Sequence, residues 1–364
     1  MNSIRFFSRS YCLTTLMMMV VSGCGEPPKG SYGIPTPPDA SSSTGDQVSS
    51  GVGVDLPLPS DPILQELGPL KVRLGDFQQK AEVQPWSGSW LPARNPWLTE
   101  GIRSPLHVWD EYIQRNFRLD LPSAWSFEKK LNVDSHLALT WEGSCDAWAI
   151  ASLYESEPRT PLIDPRGQVI SVGIQKSILV KSWEVVEGKR IYGRPYRADR
   201  SSDWNDLSPM ALHRFIQSEL FEQGRPFIID KDPGIPVWNT PIFGVAFRLT
   251  ADELDQSVIQ VHAWLQGADP LFGNPDEVGT HVTWIELRYL LRVKPLPDGS
   301  FWVQSSEWVR DLDRGVDSIE FHPDFMVGLP PRDIPVQHRS HNPAIQEEVV
   351  EFLRSKAGLE KRRP

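Results

Sequence analysis

Cysteine is scarce in this chain of 364 residues, with three, at positions 12, 24 and 145. That scarcity excludes a disulfide framework and any Cys-x-x-Cys metal or redox motif. No glycine-rich phosphate loop and no dinucleotide fingerprint occurs. Basic residues are outnumbered, 37 Lys and Arg against 47 Asp and Glu, for a formal net charge of −10. A nucleic-acid partner, which requires a basic footprint, is excluded on that ground. Internal repeats are missing. Beyond the first two dozen residues no apolar run approaches the roughly 20 residues that a membrane span needs. The pair His338-x-x-His341 has no carboxylates at supporting spacing, so neither a metal nor any other cofactor is expected.

What is present begins with a leader. Arg5 and Arg9 precede an apolar stretch over residues 11–21, and the small residues Ser22 and Gly23 stand before Cys24. This is the pattern of a signal peptide, removed before folding. The run Val21-Ser22-Gly23-Cys24 resembles the lipobox of bacterial lipoproteins. That resemblance implies a leader over 1–23 that is cleaved, a lipid on Cys24, and attachment to a membrane of the cell envelope. Gly25 in the following position favours the outer membrane over the inner one. The alternative is a plain signal peptide or short anchor, against which the brevity of the apolar stretch argues. Residues 24–62 are dominated by Pro, Gly and Ser, a composition that cannot offset its ordering entropy, and read as a tether. Loss of Arg5 and Arg9 with the leader takes the formal charge from −10 to −12. It also leaves Cys145 as the single free thiol, in a compartment where thiols are prone to oxidation.

Residues 63–342 form the body and 343–364 a C-terminal helix with the basic tail Lys361-Arg362-Arg363, read as a solvated end. A tryptophan- and proline-rich opening, from Trp86-Ser-Gly-Ser-Trp90-Leu-Pro92 through Trp97 and Trp109, contains a short helix near 107–115. Gly143 and Ser144 lead into a helix whose first residue is Cys145, with Ser144 as N-cap and Ala147, Ala149 and Ala151 sustaining it. Strand-like runs follow at 169–172 and 178–185. A helix is bounded by Ser208 and Pro209 at its start and Gly224 at its end, with Leu212, Ile216 and Leu220 as its apolar stripe. Residues 225–230 read as a short buried strand. Four antiparallel strands are expected at 242–249, 258–265, 281–293 and 301–309, the last two joined by the turn Pro297-Asp298-Gly299. Helices followed by antiparallel strands indicate an α+β fold.

Cys145 is the residue on which chemistry turns. A thiol attacks as its thiolate, an ordinary cysteine near pKa 8.5 is mostly protonated at neutral pH, and a helix N-terminus with an imidazole beside it lowers that value. The competing reading is a small buried hydrophobe, the commoner fate of free cysteine.

Several segments resemble the transglutaminase elicitor family of oomycetes and bacteria. They are Trp141-x-Gly143-x-Cys145-x-x-Trp148-Ala149 with Glu157-Pro158, Leu207-Ser-Pro-x-x-Leu-His213, and Phe227-Ile-x-Asp230. Val237-Trp238-Asn239-x-Pro241, Glu307-Trp308 and His322-Pro323-Asp324-Phe325 follow in order. The resemblance implies a papain-like or transglutaminase-like fold, with the nucleophile at a helix N-terminus packed on an antiparallel sheet. It implies Cys145 as nucleophile, His213 as general base and Asp230 as the group orienting the imidazole. His281, which opens an expected strand as in the papain layout, is the rival base. Asn239 and Asp146 are secondary candidates for orienting a base or contacting an oxyanion. Trp141, Trp148 and Trp238 are candidates to line a cleft that excludes water, although tryptophans are more often core. The activity implied is acyl transfer from glutamine carboxamides of proteins or peptides through a Cys145 thioester. A papain-like protease or peptidoglycan amidase using the same residues, and a non-catalytic binding protein of the envelope, are the alternatives. Oligomeric state is left open.

Overall fold

The computed structural model describes residues 61–93, 96–117, 121–134, 142–194, 207–231, 237–271, 273–309 and 322–364. The expected leader, nearly all of the tether, Cys24 and Trp141 lie outside them. The helices, in chain order, are α1 (Pro62–Leu67), α2 (Pro105–Asn116), α3 (Ala124–Glu128), α4 (Cys145–Tyr154), α5 (Val172–Ser182), α6 (Pro209–Ile216) and α7 (Glu347–Ala357). The strands are β1 (Lys71–Val72), β2 (Gly75–Lys80), β3 (Leu162–Ile163), β4 (Val169–Ile170), β5 (Val185–Val186), β6 (Arg190–Gly193) and β7 (Phe227–Asp230). They continue with β8 (Asn239–Ala251), β9 (Val258–Ala268), β10 (Val282–Pro295), β11 (Phe301–Trp308), β12 (Phe325–Gly328) and β13 (His338–Arg339).

One antiparallel sheet organises these elements, in the order β1-β11-β10-β9-β8-β7-β12-β6, with β2 paired to the far half of β8. β8 therefore shares one edge between two partners: Asn239 to Ile242 face β7, and Gly244 to Leu249 face β2. Because side chains alternate across a strand, the sheet separates two apolar clusters. Phe227, Ile229, Ile242, Val245, Phe247, Leu265, Leu287 and Tyr289 pack beneath α6 on one face. On the other face Ile228, Ala268, Phe325 and Val327 pack with α2, α4, α5 and α7.

The reasons for these elements are local. Ser208 caps α6 by accepting from the Ala211 N–H at 3.2 Å, Pro209 occupies its first turn, and Gly224 ends the extension at φ 64°. The turn between β10 and β11 uses Gly299 at φ 77°, a conformation that costs glycine little. The C-terminal helix is anchored by Arg354, whose guanidinium donates to Glu155 at 2.8 Å in a fully buried pair.

One expectation is overturned. Residues 178–185 were expected as a strand, but all except the last three belong to helix α5. All eleven residues of α5 are buried. Its polar residues therefore face protein instead of water, Lys176 meeting Glu157 at 2.7 Å and Lys181 meeting Glu128 at 2.9 Å. A helix without a solvated face leaves no 3.6-residue polar period to read, and its β-branched residues then mimic a strand.

Candidate active site

α4 starts at Cys145, where the sequence places it. Ser144 holds the N-cap position, yet its hydroxyl makes no capping bond. Its backbone N–H donates to the Trp90 carbonyl at 2.8 Å, and the Ala93 N–H donates to the Glu142 carbonyl at 2.8 Å. Gly143 and Pro92 form the bridge between these two chains. The approach is so close that a Cβ on Gly143 would stand 2.6 Å from the Trp90 ring and 2.9 Å from the Leu91 carbonyl. Leu91 itself is left-handed, at φ 48°. A non-glycine residue pays for that conformation, which points to a turn held by its surroundings.

The Cys145 Sγ lies 3.5 Å from the Val237 carbonyl, to which the thiol donates, and accepts from Asn239 Nδ2 at 3.4 Å. Asn239 stands opposite Asp230 in the β7–β8 register. Asp230 Oδ1 in turn accepts the Trp238 backbone N–H at 2.8 Å. The Trp238 ring meets Trp90 edge to face, with centroids 5.3 Å apart. Thus a thiol, an amide, a carboxylate and two indoles converge from segments around residues 90, 145, 230 and 238.

The electrostatics run opposite to the expectation of an ionised thiol. Cys145 is 9% exposed, and burial, the dominant cause, pushes its thiol up to about 11. Hydrogen bonding to Asn239 acts downward, while the negative charges of Asp146 and Asp230 act upward. A helix end supplies only about half a positive charge, too little here to offset removal of the thiolate from water. Asp146 is partly exposed, with Lys189 Nζ 4.0 Å from its carboxylate.

Neither histidine singled out in the sequence is a hydrogen-bond partner of the thiol. His213 belongs to α6, on the opposite face of the sheet from α4. Its ring stacks on Phe247 at 4.3 Å, and Nδ1 sits 2.7 Å from the Tyr289 hydroxyl. With 2% exposure its pKa is pushed down to about 3, so the imidazole is a neutral core group. The assignment of His213 as base to Cys145 is thereby corrected: α6 turns this residue toward β10. His281 precedes β10 with its backbone N–H on Ser87 Oγ at 2.8 Å, while its ring points to Glu277 at 2.6 Å.

The tryptophans also divide. Trp238 stands beside the thiol, and Trp148 is buried within the helical cluster. Trp90, which sequence reasoning left among the opening tryptophans, is also buried and meets Trp238 edge to face. The signal for it was the tight Trp86-Ser-Gly-Ser-Trp90 run together with Gly143, because a close approach of two chains needs a residue without a side chain. His338 stacks on Trp183 at 3.8 Å and faces the Ser182 carbonyl at 2.9 Å, roles of packing.

No protein-family model and no curated protein matches the chain. A solved structure does: the GP42 transglutaminase from Phytophthora sojae aligns with a TM-score of 0.57 and 17% identity, covering 81% of this chain and 96% of that one. The fold is transglutaminase-like. In this transglutaminase-like fold the thiol stands at the start of a helix laid on the antiparallel sheet, as α4 lies against β8.

Proposed function

We propose that the chain is a cysteine-dependent acyltransferase of the transglutaminase type, acting on glutamine carboxamides of proteins or peptides. The observation that carries this reading is the contact of Cys145 Sγ with Asn239 Nδ2 at 3.4 Å, at the first residue of a helix in a transglutaminase-like fold. In the reaction the sulfur attacks the carboxamide carbon, the C–N bond breaks, and the thiol proton departs with the nitrogen as ammonia. An acceptor amine then attacks the thioester carbon, the C–S bond breaks, and one amine proton returns to the sulfur. Backbone N–H groups at the start of α4, including that of Cys145, face the developing oxyanion. Asn239 holds the sulfur in place, and Asp230 fixes the Trp238 backbone beside it. Trp90 and Trp238 keep water from the thioester, which favours an amine over hydrolysis.

Incorporation of a labelled primary amine into a glutamine-containing protein, abolished in Cys145→Ala, tests the proposal. Release of ammonia or peptide without incorporation supports a protease or amidase instead. A second reading, a non-catalytic binding protein, is favoured by one observation, the thiol held up near 11 with no imidazole partner among the described residues. It predicts no product of either kind.

The setting is part of the proposal: an envelope protein carrying lipid on Cys24. No helix of the described residues is long and apolar enough to cross a membrane. Mass spectrometry of the expressed chain should find the acyl modification on Cys24 and lose it in Cys24→Ser.

A further inference from the structure

Lys176, in the second turn of α5, is buried with its side chain 3% exposed, and oxygen atoms surround its ammonium. Nζ donates to the Ser87 carbonyl at 2.7 Å, to Glu157 Oε1 at 2.7 Å and to the Glu277 carbonyl at 2.8 Å. Glu157, just beyond the end of α4, also accepts the Gly279 N–H at 2.7 Å. The pair therefore joins two loops that are far apart in sequence, the tryptophan-rich opening at Ser87 and the β9–β10 connection at 277–279. Those loops are stitched to each other as well. The Ser87 N–H donates to the Gly279 carbonyl at 2.9 Å, the Leu271 N–H to the Gly88 carbonyl at 3.0 Å, and the His281 N–H to Ser87 Oγ at 2.8 Å.

Three residues past Ser87 the same segment reaches the nucleophile. The Trp90 carbonyl accepts the Ser144 N–H at 2.8 Å, the Trp90 ring presses on Gly143, and it meets Trp238 edge to face with centroids 5.3 Å apart. On the way, Gly88 passes so close to α4 that a Cβ there would lie 3.3 Å from Trp148 Nε1, and Trp86 Nε1 donates to the Glu155 carbonyl at 3.0 Å. A shift at Ser87 is thus carried to Trp90 over about 10 Å of chain. Net stability is a weak reason to keep a buried ion pair, since apolar residues of similar volume often do as well. Lys181, on the same helix, is equally buried and meets Glu128 and Glu184, neither of which belongs to the two loops. Two of the three acceptors of Lys176, by contrast, are loop carbonyls whose positions it fixes.

We propose that Lys176 and Glu157 are positioning residues for the nucleophile, clipping the opening segment so that Trp90 is held against Gly143 and Trp238 beside Cys145. They act through the Trp90 segment, on the reading in which Cys145 is the acyl-transfer nucleophile.

The test compares two readouts in the full chain, the rate of Cys145 alkylation by iodoacetamide at pH 8 and the incorporation of a labelled primary amine into a glutamine-containing protein. Lys176→Met with Glu157→Leu removes the clip without stranding a buried charge, so the fold should survive by far-ultraviolet circular dichroism. Release of Trp90 admits water to the sulfur, which favours the thiolate. Alkylation should rise at least tenfold and amine incorporation should fall at least tenfold. Lys181→Met, the loss of another buried amine from the same helix, should lower the urea midpoint yet change neither readout by more than twofold. Should the double variant not fold, Glu157→Gln keeps the shape and loses the charge, and it should move both readouts the same way by at least threefold. Unchanged alkylation in these variants overturns the proposal, as does amine incorporation that survives in them or an equal rise of alkylation in Lys181→Met. Alkylation needs no acyl transfer, so a lack of amine incorporation by the unmodified protein would count against the proposed activity and leave this proposal to be decided by alkylation alone.

Discussion

The ionisation of Cys145 can be followed by alkylation with iodoacetamide across pH. With the thiol pushed up to about 11, about one molecule in ten thousand is thiolate at pH 7, against a few per cent for an ordinary cysteine near 8.5. The expected alkylation rate at pH 7 is therefore about 300-fold below that of a free cysteine, with a log-linear rise until the profile bends near 11. The signs for its neighbours follow from their charges. Asn239→Ala removes a donor that favours the thiolate, so the bend moves further up and the rate at pH 8 falls. Asp230→Asn keeps an acceptor for the Trp238 N–H but removes a negative charge that opposes ionisation, so the bend moves down and the rate rises. Asp146→Asn acts in the same direction. A bend below pH 8 in the unmodified protein would refute the reasoning, since it requires an unseen cation or imidazole to outweigh burial. If acyl transfer occurs, its kcat/KM should climb with pH along the same curve.

His213 gives a second pH signature. Its folded pKa, about 3, lies below the ordinary 6.5, so the neutral ring's contribution is complete above pH 6.5 and drains away as pH falls toward 3. His213→Phe, which leaves the Tyr289 hydroxyl unpaired, should cost about 1 kcal/mol at pH 7 in urea unfolding, and by pH 4.5 the order should invert, because protonation of the unfolded ring alone costs the histidine protein about 2–3 kcal/mol. The same variant should retain acyl transfer, whereas a base variant would not. Arg354→Met strands the Glu155 carboxylate inside the core and should cost about 3–5 kcal/mol by urea midpoint; the double variant with Glu155→Leu should recover much of that loss. Gly143→Ala forces a methyl against the Trp90 ring and the Leu91 carbonyl. It should reduce amine incorporation at least tenfold while far-ultraviolet circular dichroism stays unchanged.

Much of the architecture is legible in single residues. Ser208, Pro209 and Gly224 announce α6 because caps act within one turn, and the long strands of the second half announce themselves by alternation and by Pro297-Asp298-Gly299. α5 is not legible, because its polar face is turned onto Glu157, Glu128 and Glu184 and the usual contrast with solvent disappears. At the site, the helix start at Cys145 was readable from the turn before it, and Asn239 was a secondary candidate through resemblance to a family; Asp230, expected to orient the His213 imidazole, instead accepts the Trp238 backbone N–H. The misplaced histidine has a physical cause. A motif fixes where His213 lies on its own helix, but the side of the sheet on which that helix packs is set by the crossing of the whole chain. Trp90 escaped because the run around it does not say which distant residue it meets, and Gly143 presses against it from far along the sequence.

The shared edge of β8 bears on how the chain reaches this state. The sulfur's two contacts bridge 92 and 94 positions of sequence, and both depend on the half of β8 that pairs with β7 rather than β2. Loop closure over such separations is slow, so the nucleophile's surroundings should be among the last contacts to consolidate during folding. Until then the sulfur is unshielded, and an unfinished chain has a brief interval in which an oxidant can trap it in mixed disulfides that the finished molecule resists.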